Sequence, residues 1–257
     1  MRVWGLIAAR MASTRFPGKP MAKILGIPMV GHVYQRSLAA SRLDGVWVAT
    51  CDREIHDYIV RLGGRAVMTA HNHERATDRI AEAVIRIEKE SGEEPDYVVL
   101  IQGDEPMLLP DMLHELIEPV TGEHLDAVNL VEPIESEEVF ESADVVKVVL
   151  DRNGNILYFS RAAIPSRRKH DGPIPMLKQL GLILFARDVL IEYANLAPAP
   201  LEVIESVDMN RLLEHGRRIR AVVTRHVTYA VDRPGDIPIV EARLEADSFT
   251  ASYLGRG

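Results

Sequence analysis

Val3-Trp-Gly-Leu-Ile-Ala-Ala9 runs without a break into Arg10-Met-Ala-Ser-Thr-Arg-Phe-Pro-Gly-Lys-Pro20. The first stretch is apolar throughout, so it reads as a strand buried on both faces, the pattern of a parallel sheet. The second is punctuated by Pro17, Gly18 and Pro20 and reads as a loop. The same succession recurs downstream. Gly45–Thr50, 65–68 and 97–101 are further apolar strands. Between them, residues 28–41, 54–62 and 77–90 carry helical patterns. Pro28 suits a first turn, Gly63-Gly64 stops a helix, and Ile80, Ala83, Val84 and Ile87 share one face. Strands alternating with helices predict an α/β fold, a mainly parallel sheet with helices on both faces.

The rhythm changes near residue 130. Residues 145–151, Ile156–Ser160 and 180–185 read as strands with few long helices between them, and Asn153-Gly154 is a hairpin turn. Pro198-Ala-Pro200 breaks the chain before a helix at 201–214, which stops at Gly216. A strand at 219–224 and a helix at 234–244 follow. The tail at 247–257 shows no period and is expected to fray. The expected organisation is a core of 1–130 and 191–246 interrupted by a β-rich segment at 131–190.

Composition narrows the function. The 257 residues are 47% hydrophobic and 26% charged, an ordinary globular balance. No apolar run approaches the ~20 residues that span a bilayer. The opening lacks the long apolar core and small-residue cleavage site of a signal peptide. Cys51 is the one cysteine, which excludes an internal disulfide and fits a reducing cytoplasm. A net charge of −8 makes a poor nonspecific nucleic-acid binder. Charge is unevenly placed, however. Residues 1–43 hold seven basic side chains and no acid, while the other 214 hold 23 basic against all 38 acidic groups. A basic opening on an acidic body suggests a local anion site or, more plainly, a solvated basic face.

Ligands of an open parallel sheet sit at the carboxyl ends of its strands. Three segments meet that condition. After the first strand, Ser13, Thr14 and Gly18 permit close backbone approach, while Arg10, Arg15 and Lys19 can reach phosphate oxygens. The loop is neither a dinucleotide fingerprint nor a P-loop. After the strand at 97–101 comes Gln102-Gly-Asp-Glu-Pro106. Carboxylates there are costly unless paired or metal-bound, and Asp104 suits Mg²⁺, which takes oxygen from one or two carboxylates plus substrate phosphates. An ordinary Gly-Asp turn is the alternative. Asp232, in Tyr229-Ala-Val-Asp232, closes an expected strand and is either a second metal ligand or a helix N-cap. His71 and His73 lack an evident third ligand for zinc. Cys51 reads as a buried thiol and His215 as a helix-end residue.

Five collinear motifs carry a resemblance: Arg10–Pro20, Thr77-Asp-Arg79-Ile-Ala-Glu82, Gln102-Gly-Asp-Glu-Pro106, Val146-Lys-Val-Val149 and Tyr158-Phe-Ser-Arg161-Ala-Ala-Ile-Pro165. Together with Leu180-Gly181 and Val231-Asp232 they resemble the CMP-Kdo synthetase family, the 3-deoxy-manno-octulosonate cytidylyltransferases. The resemblance implies a Rossmann-like nucleotidyltransferase fold, a homodimer, CTP as donor, Mg²⁺ as cofactor and a small acidic acceptor. Carried over by position, Arg10, Ser13, Arg15, Lys19, Thr77, Arg79, Gln102 and Gly103 would bind the nucleotide, with Arg79 and the backbone near Gln102 helping to select cytosine. Lys19 and Asp104 would be catalytic, and Asp104 with Asp232 would hold the metal. The core becomes the nucleotide-binding part, and 131–190 the acceptor or dimerisation part.

The acceptor half departs from the family. Arg75-Ala76 stands where the family has a small hydroxyl and a glycine. Gln179 and Ile183 replace a histidine and a tyrosine, and Asp208-Met209 replaces a Glu-Gln pair. Arg75, Arg161, Gln179 and Asp208 are the acceptor candidates. Apolar replacements of hydroxyl-binding side chains alter discrimination. A Kdo-like acid is therefore one acceptor. A small phosphonate, met by Arg75, Arg161 and the Arg167-Arg168-Lys169-His170 cluster, is another, unless that cluster is a solvated loop. A non-catalytic nucleotide-binding dimer and a UTP-dependent enzyme are the other readings.

Overall fold

The computed structural model describes residues 1–13 and 15–254. In chain order it runs β1 (Val3–Ala9), β2 (Lys23–Ile24), β3 (Ile27–Pro28), α1 (Met29–Leu38), β4 (Gly45–Thr50), α2 (Arg53–Arg61), β5 (Ala66–Met68), α3 (Ala76–Ser91), β6 (Tyr97–Gln102) and α4 (Pro110–Ile117). Next come β7 (Ala127–Pro133), α5 (Glu137–Glu141), β8 (Lys147–Leu150), β9 (Ile156–Ser160), β10 (Leu177–Ala186), α6 (Arg187–Asn195), α7 (Pro200–Glu205), α8 (Met209–Glu214), β11 (Ile219–Val223), α9 (Ile237–Ala246) and α10 (Ser248–Tyr253). Two compact units result: residues 1–114 with the chain from 228 onward, and residues 115–227. The second unit is wider than the expected insertion at 131–190, and it takes in 191–227, which was expected in the core.

In the first unit β1 pairs in parallel with both β4 and β6, and β4 with β5, giving the order β6-β1-β4-β5. Leu6 and Ile7 of β1, Val48 of β4 and Val98 to Ile101 of β6 are buried, as expected of strands covered on both faces. Helix α3 buries Ile80, Ala81, Ala83, Val84 and Ile87, its periodic stripe. The register sets the function-bearing edge. Ala9 lies opposite Thr50 and Ala8 opposite Gln102, so Arg10, Asp52 and Asp104 follow the same ends of neighbouring strands.

The end of this unit departs from expectation. Helix α10 forms where fraying was expected, because Asp247 caps it through the Phe249 and Thr250 amides and because a buried cation holds it. Arg36 of α1 is 1% exposed and bonds Asp247 at 2.6 Å and Thr250 at 3.1 Å. Its guanidinium also lies 5.1 Å from the centre of the Phe249 ring. His32 bonds the Tyr253 hydroxyl at 2.9 Å. Residues 255–257, the tip of the expected tail, lie outside the described residues.

The second unit is β-rich. β7 pairs antiparallel with β10 and parallel with β11, while β8 pairs antiparallel with β10 and β9. Gly154 turns the β8–β9 hairpin with φ +79°, as Asn-Gly predicts. The expected helix at 201–214 is two helices. Ser206 at φ 54° ends α7, and Val207-Asp208 intervene before α8. No strand covers residues 229–232.

Candidate active site

The loop after β1 is built by backbone bonds rather than by its cations. Gly18, at φ +75°, donates to the Met11 carbonyl at 3.0 Å and closes the loop, a conformation glycine adopts without strain. The Met11 amide in turn donates to Asp52 Oδ2 at 2.8 Å, which ties the loop to the end of β4. Ser13 Oγ accepts from the Phe16 amide. Thr14 lies outside the described residues.

Beside this loop, Gly103 lets the chain after β6 pass close to β1. A Cβ there would lie 2.8 Å from the Ala8 carbonyl oxygen, to which the Gly103 amide donates. Asp104 follows, and its own carbonyl accepts from the Val231 amide at 3.0 Å, which brings Asp232 alongside. Three distant segments thus converge. Lys19 Nζ donates to Asp104 Oδ2 at 2.6 Å and stands 3.7 Å from Asp232 Oδ1, while Arg15 pairs with Asp232 at 2.9 Å. The Asp232 carboxylate does not cap a helix, since Asp236 takes the amides of Asp232 and Arg233. The second oxygen of Asp104 is buried and has no hydrogen-bond partner among the described residues. A buried orphan carboxylate oxygen beside a cationic loop has the chemistry of a hard-cation ligand. Two carboxylates fit an ion that completes its coordination with substrate phosphates and water; among the described residues, no cluster of three His, Cys, Asp or Glu side chains could hold one alone.

Arg15, Lys19 and Asp104 line a cleft of about 350 Å³, whose walls also include Arg10, Ser13, Arg75, Arg79, Gln102 and Gly103. Arg79 is a wall built from within. Its buried guanidinium donates to Thr69 Oγ1 at 2.6 Å and to the Ala70 and His73 carbonyls at 3.3 Å each. Arg10 reaches the same His73 carbonyl at 3.2 Å. Thr77 is fully buried at the start of α3. His73 contacts Glu82, which also accepts from the Ala70 amide and from Arg86. Burial pushes the Glu82 carboxyl up, but those hydrogen bonds together hold it below the ordinary value. Cys51 is buried, and that burial raises its thiol pKa.

The acceptor candidates are distributed differently. Arg75 lines the first unit's cleft, whereas Arg161, Gln179 and Asp208 belong to the second unit. Gln179 donates to Asn129 at 2.9 Å, and Asp208 precedes α8. Arg161 bonds main-chain carbonyls of Ala143 at 3.0 Å and Glu205 at 2.8 Å. Of the basic cluster, Arg167 pairs with Glu137 at 2.6 Å and lies over the Phe140 ring, so it is tied to α5. Sequence reasoning missed Asp52, Asn129 and Glu205. Asp52 had a signal, an acid directly after an apolar strand, as at Asp104. Glu205 had none, because its partners Tyr158, Ser160 and the Arg161 amide are some 45 positions away in sequence.

A parallel α/β sheet presenting three cations and two carboxylates at one edge, around a cleft, defines a class: proteins that handle a polyanion beside a divalent ion, as nucleotidyltransferases do. A family model described as cytidylyltransferase matches residues 4–219. The 3-deoxy-manno-octulosonate cytidylyltransferase of Geobacter metallireducens is 40% identical over 255 residues, 95% of this chain and 98% of the relative. That of Myxococcus xanthus is 43% identical over 246 residues, 95% of this chain and 97% of the relative. A solved CMP:2-keto-3-deoxy-manno-octonic acid synthetase complexed with CTP has a TM-score of 0.88 and 34% identity, covering 96% of this chain and 99% of its own. The chain belongs to the cytidylyltransferase family.

Proposed function

We propose that this chain is a Mg²⁺-dependent cytidylyltransferase that transfers CMP from CTP to 3-deoxy-manno-octulosonate and releases pyrophosphate. The observation that carries the reading is the meeting of Lys19 with Asp104 and Asp232. Its relatives' names support the acceptor. In the reaction an acceptor oxygen bonds to the α-phosphorus, the bond from that phosphorus to the bridging oxygen breaks, and the acceptor proton passes to solvent.

Lys19, Arg15 and Arg10 would bind the triphosphate oxygens and stabilise the charge that grows on leaving pyrophosphate. Ser13 and Gly103 would admit the chain of phosphates closely, and Gln102, Thr77 and the wall that Arg79 holds would meet the base. Asp104 and Asp232 would hold Mg²⁺, which when bound lowers the pKa of a coordinated hydroxyl and offsets phosphate charge. Arg161, Gln179 and Asp208 would be the second unit's acceptor contacts, and Arg75 would add a cation to the first unit's cleft. A single cysteine, which allows no internal disulfide, supports a cytoplasmic location. Among the described residues, no helix is long and apolar enough to cross a membrane. We also propose a homodimer through the second unit. Leu157 and Ile204 are 61% and 75% exposed there, and their chain neighbours Tyr158 and Glu205 are hydrogen-bonded to each other.

Mass spectrometry after incubation with CTP, Mg²⁺ and a panel of 3-deoxy-manno-octulosonate, its 8-amino analogue and simple phosphonates tests the reading. A CMP adduct of the sugar acid is expected. Adducts of phosphonates alone, or equal turnover of UTP, would contradict it, and binding without any product would leave a scaffold.

A further inference from the structure

The second unit contains a lysine to which, among the described residues, no carboxylate is hydrogen-bonded. Lys147 opens β8, is fully buried, and donates its three ammonium hydrogens to three main-chain carbonyls. The acceptors are Ser142 at 2.7 Å, Val145 at 2.6 Å and Arg161 at 2.6 Å. Burying an ammonium is costly, and apolar residues of similar volume often hold a fold equally well. Its geometry gives it a more specific task. The three carbonyls belong to the turn between α5 and β8 and to the residue just past β9, so one cation clamps two segments. The Arg161 side chain then returns to the same turn, donating to the Ala143 carbonyl at 3.0 Å and the Asp144 carbonyl at 3.4 Å. Its remaining bonds run to the Glu205 and Ser206 carbonyls. Lys147 thus fixes both the main chain that carries Arg161 and the turn against which its guanidinium is aimed.

We propose that Lys147 is a positioning residue for acceptor recognition, acting through Arg161; this rests on the reading of Arg161 as an acceptor contact. A 1 Å displacement of a binding group costs up to about 100-fold in activity. Lys147→Met keeps an unbranched side chain one atom shorter and removes the charge. With pyrophosphate release as readout, it should raise KM for 3-deoxy-manno-octulosonate by about 10- to 100-fold while KM for CTP holds. Hydrogen exchange should accelerate at 142–146 and at 161. A lowered melting temperature with both KM values unchanged would overturn the proposal and leave Lys147 a structural residue.

Arg161→Ala separates the two ideas. If it raises the acceptor KM and Lys147→Met does not, the positioning role fails alone. If neither variant raises it, the reading of Arg161 fails and takes the proposal with it. Should Lys147→Met not fold, Ser142→Gly loosens the clamped turn without touching the ammonium. A several-fold rise in acceptor KM supports the proposal there, and an unchanged value overturns it.

Discussion

Lys19 and Lys147 are both shielded lysines with short hydrogen bonds, yet they are held by opposite means. Lys19 faces carboxylates, at 2.6 Å from Asp104 and 3.7 Å from Asp232, on the rim of an open cleft. Lys147 faces three carbonyls inside a closed turn. Carboxylates can exchange a lysine for a metal ion, and the lysine can exchange them for phosphate. Main-chain carbonyls in a packed turn have no such alternative. The first arrangement is therefore suited to a change of partners during a reaction, and the second to holding one geometry throughout.

That contrast can be broken by mutation. Asp104→Asn removes charge from the exchangeable cluster while keeping shape, and kcat should fall by about 10²–10³-fold with little change in melting temperature. Steady-state kinetics beside a thermal scan checks both halves. A large loss of stability with normal kcat would place Asp104 in the fixed class. Glu205→Ala should do the reverse. Glu205 accepts from Tyr158, Ser160 and the Arg161 amide, bonds that outweigh burial and keep its pKa low. Its loss should cost about 1–3 kcal/mol in denaturant unfolding while KM for CTP stays within twofold.

The smallest expected effect sharpens the comparison at a third buried cation, Arg36. Burial alone would raise the Asp247 pKa, but hydrogen bonds from Arg36 and Thr250 hold it below the ordinary value. A carboxylate with a lowered folded pKa adds stability that is complete above its unfolded pKa of about 3.9 and is lost as pH falls through the lower folded value. Hydrogen-exchange protection in α10, measured against the intrinsic rate at each pH, should hold at neutral pH and be lost below about pH 4, before that of the β-sheet amides. Simultaneous loss of protection in both would deny α10 a local tether.

The parallel half of the fold was legible because apolar strands such as Val3–Ala9 and stripes such as that of α3 report their burial directly. The edge chemistry was legible too, since cations and acids stood at strand ends. Other features depended on contacts that no local pattern carries. β7 includes Asn129, whose amide is buried against the Leu130, Leu180 and Leu182 carbonyls, so polarity hid a core strand. α10 exists through a capping acid and a buried arginine 211 positions away in sequence. The motif around Arg79 made it a candidate for the nucleotide site. Its engagement with Thr69, Ala70 and His73, which makes it a holder of the wall, required coordinates.

The account stands most directly on whether nucleotide and ion displace the ion pairs of Lys19. Calorimetric titration of CTP into wild type and Lys19→Met, each with and without Mg²⁺, measures this. Wild type should bind CTP at least about tenfold more tightly with the ion, and Lys19→Met should bind it more weakly than wild type under both conditions. Equal affinities across all four titrations would contradict the claim.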